Sequence, residues 1–276
     1  MTGATVIRSR WLVNLGLLVL ALALAALIQL TERGEIQAAR LTPLEPDAIE
    51  HVRLERADAD PLILRRSEIG WQMTNPYQVA ADPVQMRRLL PIAAAEDVRS
   101  LPVAGVDLTE LGLDPPLVRL WLDDVLLEIG GTEPIAEYRY VRIGDLIHLI
   151  DDRFIGRLLA TPEEYIGKTL LPPDFSPGIG SLNGEPLSAD ELAVLADAGA
   201  ERVEPLGQAL SGVMLEVQSA DAADSLRFLV AEDGRRWSRL DLRLSWLFRT
   251  SPLPRLEPAA MPDTDAVIGT GGTDRP

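Results

Sequence analysis

Tyr138-Arg139-Tyr140-Val141-Arg142-Ile143-Gly144-Asp145-Leu146-Ile147-His148-Leu149-Ile150 is the stretch that decides the fold class. Two runs rich in aromatic and β-branched residues flank Gly-Asp, a dipeptide suited to a two-residue hairpin turn. It predicts a pair of antiparallel strands. Upstream, Val118-Arg119-Leu120-Trp121-Leu122 and Val125-Leu126-Leu127-Glu128-Ile129 repeat the pattern around Asp123-Asp124, with Gly130-Gly131 as the stop. Further back, Ile49-Glu50-His51-Val52-Arg53-Leu54-Glu55 alternates apolar and polar residues at period two, the pattern of a half-buried strand. Leu62 to Arg66 returns after an Ala-Asp turn, and Gly70-Trp71-Gln72-Met73 closes a meander.

Short helices are expected between these strands. Asp82-Pro83 supplies an N-cap acceptor and a proline at the first helical position, where the missing N–H costs nothing. Pro91 should kink or end that helix. Leu108-Thr109-Glu110-Leu111 reads as a helical turn stopped by Gly112, and Thr161-Pro162-Glu163-Glu164 opens another helix. Residues 172–186 are rich in Pro and Gly and read as a linker. Beyond them Ser188-Ala189-Asp190-Glu191 caps a helix through roughly Ala198, residues 212–217 and 226–230 read as strands, and Asp233-Gly234 turns the chain into Trp237 and Leu240 to Phe248. The order strand, Ala-Asp turn, strand, Gly, Trp occurs at 49–71 and again at 213–237, either as a diverged repeat or as two similar meanders.

Trp11 to Leu30 is apolar except for Asn14, Gly16 and Gln29. A helix of that length spans roughly 30 Å, the thickness of a bilayer's hydrocarbon core. Arg8 and Arg10 precede it and Glu32, Arg33 and Glu35 follow, so the positive-inside rule places the N-terminus in the cytoplasm and the remainder outside. The alternative is a signal peptide cleaved after an A-x-A pattern at 21–23 or 23–25. The apolar run continues past both sites, which favours a retained anchor.

The net charge is −16, and residues 1–30 contain no acid, so the acidity lies downstream of the anchor. Such a surface repels nucleic-acid phosphates and argues against broad docking on anionic lipid headgroups. With no cysteine there is no disulfide, thiolate nucleophile or zinc–thiolate site.

Catalytic constellations were sought among Asp123-Asp124, Asp151-Asp152 and Glu163-Glu164. Adjacent residues on a strand face opposite ways and acids on turns are solvated, so turn and cap roles are the expected ones. His51 and His148 read as ordinary strand residues rather than ligands, and Gly178-Ile179-Gly180-Ser181 as linker rather than phosphate loop. Trp71, Trp121 and Trp237 are expected in the core or on sheet faces, and Trp246 in the core or in a partner-binding patch. No catalytic, cofactor-binding or metal-ligating residue is assigned.

The order of short motifs resembles the domain of unknown function 4340 family. It runs through Gly70-Trp71, Ala81-Asp82-Pro83, Leu111-Gly112-Leu113-Asp114-Pro115-Pro116, Ile129-Gly130, Tyr138-Arg139-Tyr140-Val141 and Tyr165-Ile166-Gly167-Lys168-Thr169-Leu170-Leu171. The resemblance covers about residues 41–175 well and the rest loosely, and Pro91 inside the expected helix departs from it. It implies a bacterial membrane-anchored envelope protein of the kind often encoded beside ABC-type export permeases and gliding-motility-like auxiliary subunits. It carries over no catalytic residue.

The expected organisation follows. Residues 1–10 are cytoplasmic, 11–30 form the transmembrane anchor in contact with membrane lipid, and 31–47 are a juxtamembrane linker. Residues 48–171 form the main α+β domain, 172–186 a linker, 187–250 a second smaller α+β unit and 251–276 a disordered tail. The fold class is α+β: a single transmembrane helix, then antiparallel β meanders with short packed helices. The expected function is a non-enzymatic periplasm-facing accessory or scaffold protein of the bacterial inner membrane, with an ABC-type permease or auxiliary subunit as partner and no nucleic acid. The alternatives are an envelope lipid-, glycan- or peptide-binding module and a carboxylate-dependent envelope hydrolase.

Overall fold

The computed structural model describes residues 39–207, 211–221 and 224–256. In chain order its strands begin with β1 (Ala39–Arg40), β2 (His51–Arg56), β3 (Ala59–Ser67), β4 (Gly70–Asn75) and β5 (Val79–Ala80). After helix α1 (Pro83–Leu89) come β6 (Glu96–Asp97), β7 (Arg99–Pro102), β8 (Val118–Leu122), β9 (Val125–Thr132), β10 (Arg139–Ile143) and β11 (Leu146–Ile150). The short helix α2 (Ile155–Leu158) leads to β12 (Pro177–Leu182) and β13 (Glu185–Pro186). Helix α3 (Ala189–Asp197) precedes β14 (Arg202–Pro205), β15 (Val213–Ser219), β16 (Ser225–Val230), β17 (Arg236–Arg239) and β18 (Leu244–Leu247). The α+β expectation holds: antiparallel sheets dominate, with a few short helices.

Two compact units share the chain in interleaved segments. The first comprises the described residues up to 48 with Pro91–Leu117 and Leu126–Arg153; the second comprises Ile49–Leu90, Val118–Val125 and the described residues from Phe154 onward. This differs from the sequential division into 48–171 and 187–250, because strand pairing joins segments far apart in the chain.

In the first unit β9, β10, β11 and β7 pair in that order, all antiparallel. Ile143 pairs with Leu146 around Gly144, whose φ is 57°, so the Gly-Asp hairpin forms where expected. Leu127, Ile129, Val141, Ile147 and Leu149 are buried. β1 pairs with β6, and Thr42 Oγ1 donates to the Ala93 carbonyl at 2.7 Å.

Two glycine-bearing motifs meet here. Gly131 N donates to the Leu111 carbonyl at 2.7 Å, and Gly112, at φ 65°, turns the chain above it. A Cβ on Gly130 would lie 2.6 Å from the Leu111 oxygen and 2.8 Å from Leu113 Cγ. Backbone therefore approaches backbone at a distance that only glycine allows. Gly130→Ala is expected to cost about 1–3 kcal/mol through this overpacking. Equilibrium urea unfolding measures it, and an unchanged midpoint would contradict the close contact.

In the second unit β2 pairs with β3 and β8, β3 with β4, and β4 with β5. The period-two alternation is literal. Val52, Leu54, Leu62, Leu64, Trp71, Met73, Leu120 and Leu122 are buried, while their strand neighbours point outward. Asp82 Oδ1 accepts from Val84 N at 2.7 Å and starts α1. α1 ends at Leu89, and Pro91 sits in the 3-10 turn Leu90–Ala94 that follows. The proline thus tightens the end of the helix.

The same unit holds a seven-stranded antiparallel sheet in the order β13-β12-β15-β16-β17-β18-β14. Its core face carries Leu182, Leu215, Val217, Phe228, Val230 and Trp237. Phe228 and Phe248 meet Trp237 edge-on, with ring centroids 6.2 and 6.1 Å away. α3 begins with a capping box: Ser188 Oγ accepts from Glu191 N while a Glu191 carboxylate oxygen accepts from Ser188 N at 2.8 Å. That backbone hydrogen bond is the main reason the Glu191 carboxyl is held below the ordinary glutamate range. A lowered folded-state value means that its stabilising contribution is present at neutral pH and disappears as pH falls through that value. An NMR titration of Glu191 is expected to give a midpoint below that of an unstructured glutamate; a midpoint at or above it would contradict the box.

Two sequence expectations are corrected. Residues 172–186 are not a linker, since β12 and β13 lie within them. A Cβ on Gly178 would lie 2.7 Å from Ala220 Cα, and one on Gly180 2.7 Å from Leu187 Cδ1 and 2.9 Å from Leu192 Cδ2. These glycines serve close packing. Thr161-Pro162-Glu163-Glu164 does open a helix, the four-residue 3-10 helix Pro162–Tyr165. Residues 251–256 are not part of a disordered tail: Leu253 is fully buried and Ser251 Oγ donates to its carbonyl at 2.8 Å. The anchor at 11–30, its flanks at 1–10 and 31–38, and the tail at 257–276 lie outside the described residues. Among the described residues no helix is long and apolar enough to cross a membrane.

Candidate functional site

The acids weighed for catalysis are placed by the elements that carry them. Asp123, at φ 49° in the turn between β8 and β9, accepts from His51 N at 2.8 Å and Glu50 N at 3.1 Å through one oxygen. Asp151 accepts from Arg153 N at 2.8 Å. Asp152 holds Arg139 in a two-pronged pair at 2.6 and 2.7 Å, while a third Arg139 nitrogen donates to the Gly130 carbonyl at 2.9 Å. Glu164 accepts from Thr161 N at 3.3 Å, and Glu163 accepts from Tyr77 Oη at 2.7 Å. Asp151 and Asp152 do line one open hollow of about 630 Å³ with Glu137 and Tyr138, and both are engaged there, Asp151 by Arg153 N and Asp152 by Arg139. Among the described residues no group of three or more His, Asp or Glu could hold a metal ion.

The polar cluster around Tyr77 was not legible in sequence. Burial first, then donation to Glu163, pushes the Tyr77 hydroxyl up to about 12. Arg56 ends β2 and donates through Nη1 to the Ala160 carbonyl, while its Nε and Nη2 are buried without a partner. Burial lowers its pKa, opposed by the nearby Tyr165 and Glu163. Tyr165 Oη donates to the Arg157 carbonyl at 2.7 Å, and burial raises its pKa. Each group is held by backbone or by another side chain, so the cluster fastens the 3-10 turn to the end of β2.

His148 departs from its reading as an ordinary strand residue. Its Nδ1 lies 2.8 Å from Asp97 Oδ2, and the two side chains are only 10% and 7% exposed. Asp97 Oδ1 is buried without a partner. The register sets Ser100 opposite His148 across β7 and β11. A nucleophile needs a hydrogen bond to its base, and Ser100 is exposed on an edge strand with none to the imidazole. The pair ties β6 to β11. His51 is exposed, as its register implied, with Nδ1 3.7 Å from Asp123 Oδ1.

The tryptophans divide by sheet face. Trp237 and Trp246 are buried, with Trp246 Nε1 donating to the Gly167 carbonyl at 3.2 Å, and Trp71 is buried on β4. Trp121 stands half-buried on the outer face of β8 with the Arg53 guanidinium 5.2 Å from its ring centroid. Several concave surfaces lie open to solvent. One groove of about 460 Å³ lies among Met214, Arg227, Leu229, Arg239 and Leu240. A smaller cleft of about 150 Å³ is lined by Gln72, Gln78, Leu170, Leu171, Arg239 and Trp246. In the larger groove Asp241 accepts from Arg239, which holds the Asp241 carboxyl below the ordinary aspartate range.

Comparison with known proteins bears on the family. Residues 71–178 match the family model described as Domain of unknown function (DUF4340), which bears out the resemblance read from the motif order. No curated protein and no solved structure matches the chain.

Proposed function

We propose that the chain is a non-enzymatic accessory or scaffold protein, anchored in the bacterial inner membrane and facing the periplasm, that works beside an ABC-type membrane transport complex. The observation that carries the reading is how the acids are used. Asp123 and Asp151 satisfy backbone N–H groups, Asp152 clamps Arg139, Glu163 holds Tyr77 and Glu164 completes a cap. Such acids stabilise turns and strand ends, and this supports a structural part over a carboxylate hydrolase. The grooves lie open to solvent, which supports surface contacts over full enclosure of a small ligand. Arg8 and Arg10 before the apolar run 11–30 support the orientation, with lipid contact through that run.

Purification of the full chain in mild detergent, after crosslinking in intact membranes, tests the reading. Recovery of a permease or auxiliary transport subunit in stoichiometric amount is the expected result. A chain that stays solitary in both conditions would sink it.

A further inference from the structure

The outer face of β2, β3 and β8 gathers positive charge in an acidic chain. His51 pairs with Arg65, Arg53 with both Ile63 and Trp121, and Glu55 with Arg119. Opposed residues in a ladder share a face, so these side chains stand together, away from the buried Val52, Leu54, Leu64 and Leu120. Arg65, Arg53 and Arg119 fall on a diagonal across three adjacent strands, each step one strand over and two residues along. Such diagonal neighbours are about 7–8 Å apart. Arg53 and His51 have side chains 52% and 57% exposed. Glu55, ion-paired with Arg53, is the carboxylate among these positions.

We propose that this face binds an acidic segment of a partner protein in extended conformation, a step that rests on the accessory reading and names its contact surface. Alternate residues of an extended chain lie on one side roughly 7 Å apart. Carboxylates at every second position therefore match the arginine diagonal, with Trp121 as an apolar floor beside it. The ends of the strands decide against a lipid surface. Asp123 and Asp124 border one end of the stripe, and Asp58 and Asp60 the other. A planar anionic bilayer would meet these acids together with the arginines, and the net charge of −16 would oppose it. A single extended chain fits between them.

The test uses the full chain in phosphatidylcholine nanodiscs and a fluorescent peptide of alternating Glu and Ser. Wild type is expected to bind the peptide and to lose affinity as salt rises. Arg53→Glu with Arg65→Glu should weaken binding by about tenfold or more, and the milder Arg53→Gln with Arg65→Gln by less. Arg202→Glu, on β14, should leave binding unchanged. Absence of binding by wild type, an equal loss in Arg202→Glu, or preference for phosphatidylglycerol vesicles over the peptide would each overturn the proposal. Co-purification separates the two readings. If the charge-reversed protein still recovers the partner that wild type recovers, the contact face is wrong while the accessory role stands. If wild type recovers no partner, the accessory role itself fails.

Discussion

Trp237→Ala is expected to lower the unfolding free energy by about 3–5 kcal/mol, the range for deleting a large buried aromatic. Trp237 is fully buried in the seven-stranded sheet, between Phe228 and Phe248. Its Nε1 donates to the Gly234 carbonyl at 2.7 Å, so truncation removes packing on two sides and leaves that acceptor buried and unpaired. Ser238 and Ser245, hydrogen-bonded at 2.9 Å on the neighbouring ladder rung, face the other side of the sheet and cannot fill the space. Equilibrium denaturation followed by far-UV circular dichroism would read the loss. A shift below about 1 kcal/mol, the ordinary size for a surface change, would contradict this packing.

His148→Ala should destabilise by about 3–5 kcal/mol, because it leaves Asp97 as a buried carboxylate with neither oxygen paired. The double variant His148→Leu with Asp97→Leu should recover most of that loss, since replacing both members of a buried pair with apolar residues is often neutral or stabilising. The non-additivity is the diagnostic. Two single variants whose costs simply add in the double would show that the imidazole and the carboxylate do not depend on each other.

The anatomy of the sheets was legible where two signals agreed. Around Gly144-Asp145 the turn chemistry and the apolar runs pointed the same way, and the hairpin forms in that register. From His51 to Glu55 the residues alternate cleanly, and Val52 and Leu54 are buried; Ile49, separated from Val52 by two polar residues, is buried ahead of the strand. Asp82-Pro83 and Ser188 to Glu191 start helices because their caps are local, needing nothing distant to form. Where the deciding contact was distant, the sequence was mute. Gly178 and Gly180 looked like linker glycines, and only the presence of Ala220, Leu187 and Leu192 reveals them as packing positions. Pairing of β14 with β18 closes one edge of its sheet across about forty residues, a separation no local pattern encodes.

The candidate sites show the same limit. That Asp151 serves a turn could be read from its neighbours, since it accepts from Arg153 N two residues on. Asp123 accepts instead from Glu50 N and His51 N, more than seventy positions away, which no local pattern encodes. Asp97 gave no local sign either. It sits in a two-residue strand, and its partner lies fifty-one positions away on β11. Arg56 was likewise unremarkable until Ala160 and Tyr165 were brought against it. The arginine diagonal is a further case. Arg53, Arg65 and Arg119 are unrelated in sequence and become neighbours only through the ladders on either side of β2.

The account stands most directly on export of the folded region, and a topology reporter tests that. An enzyme active only in the periplasm, fused at the C-terminal end of the full chain, is predicted to be active, and the same fusion with a cytosol-only reporter to be silent. Activity confined to the cytosolic reporter would place the acidic sheets on the wrong side of the membrane and contradict the proposed role.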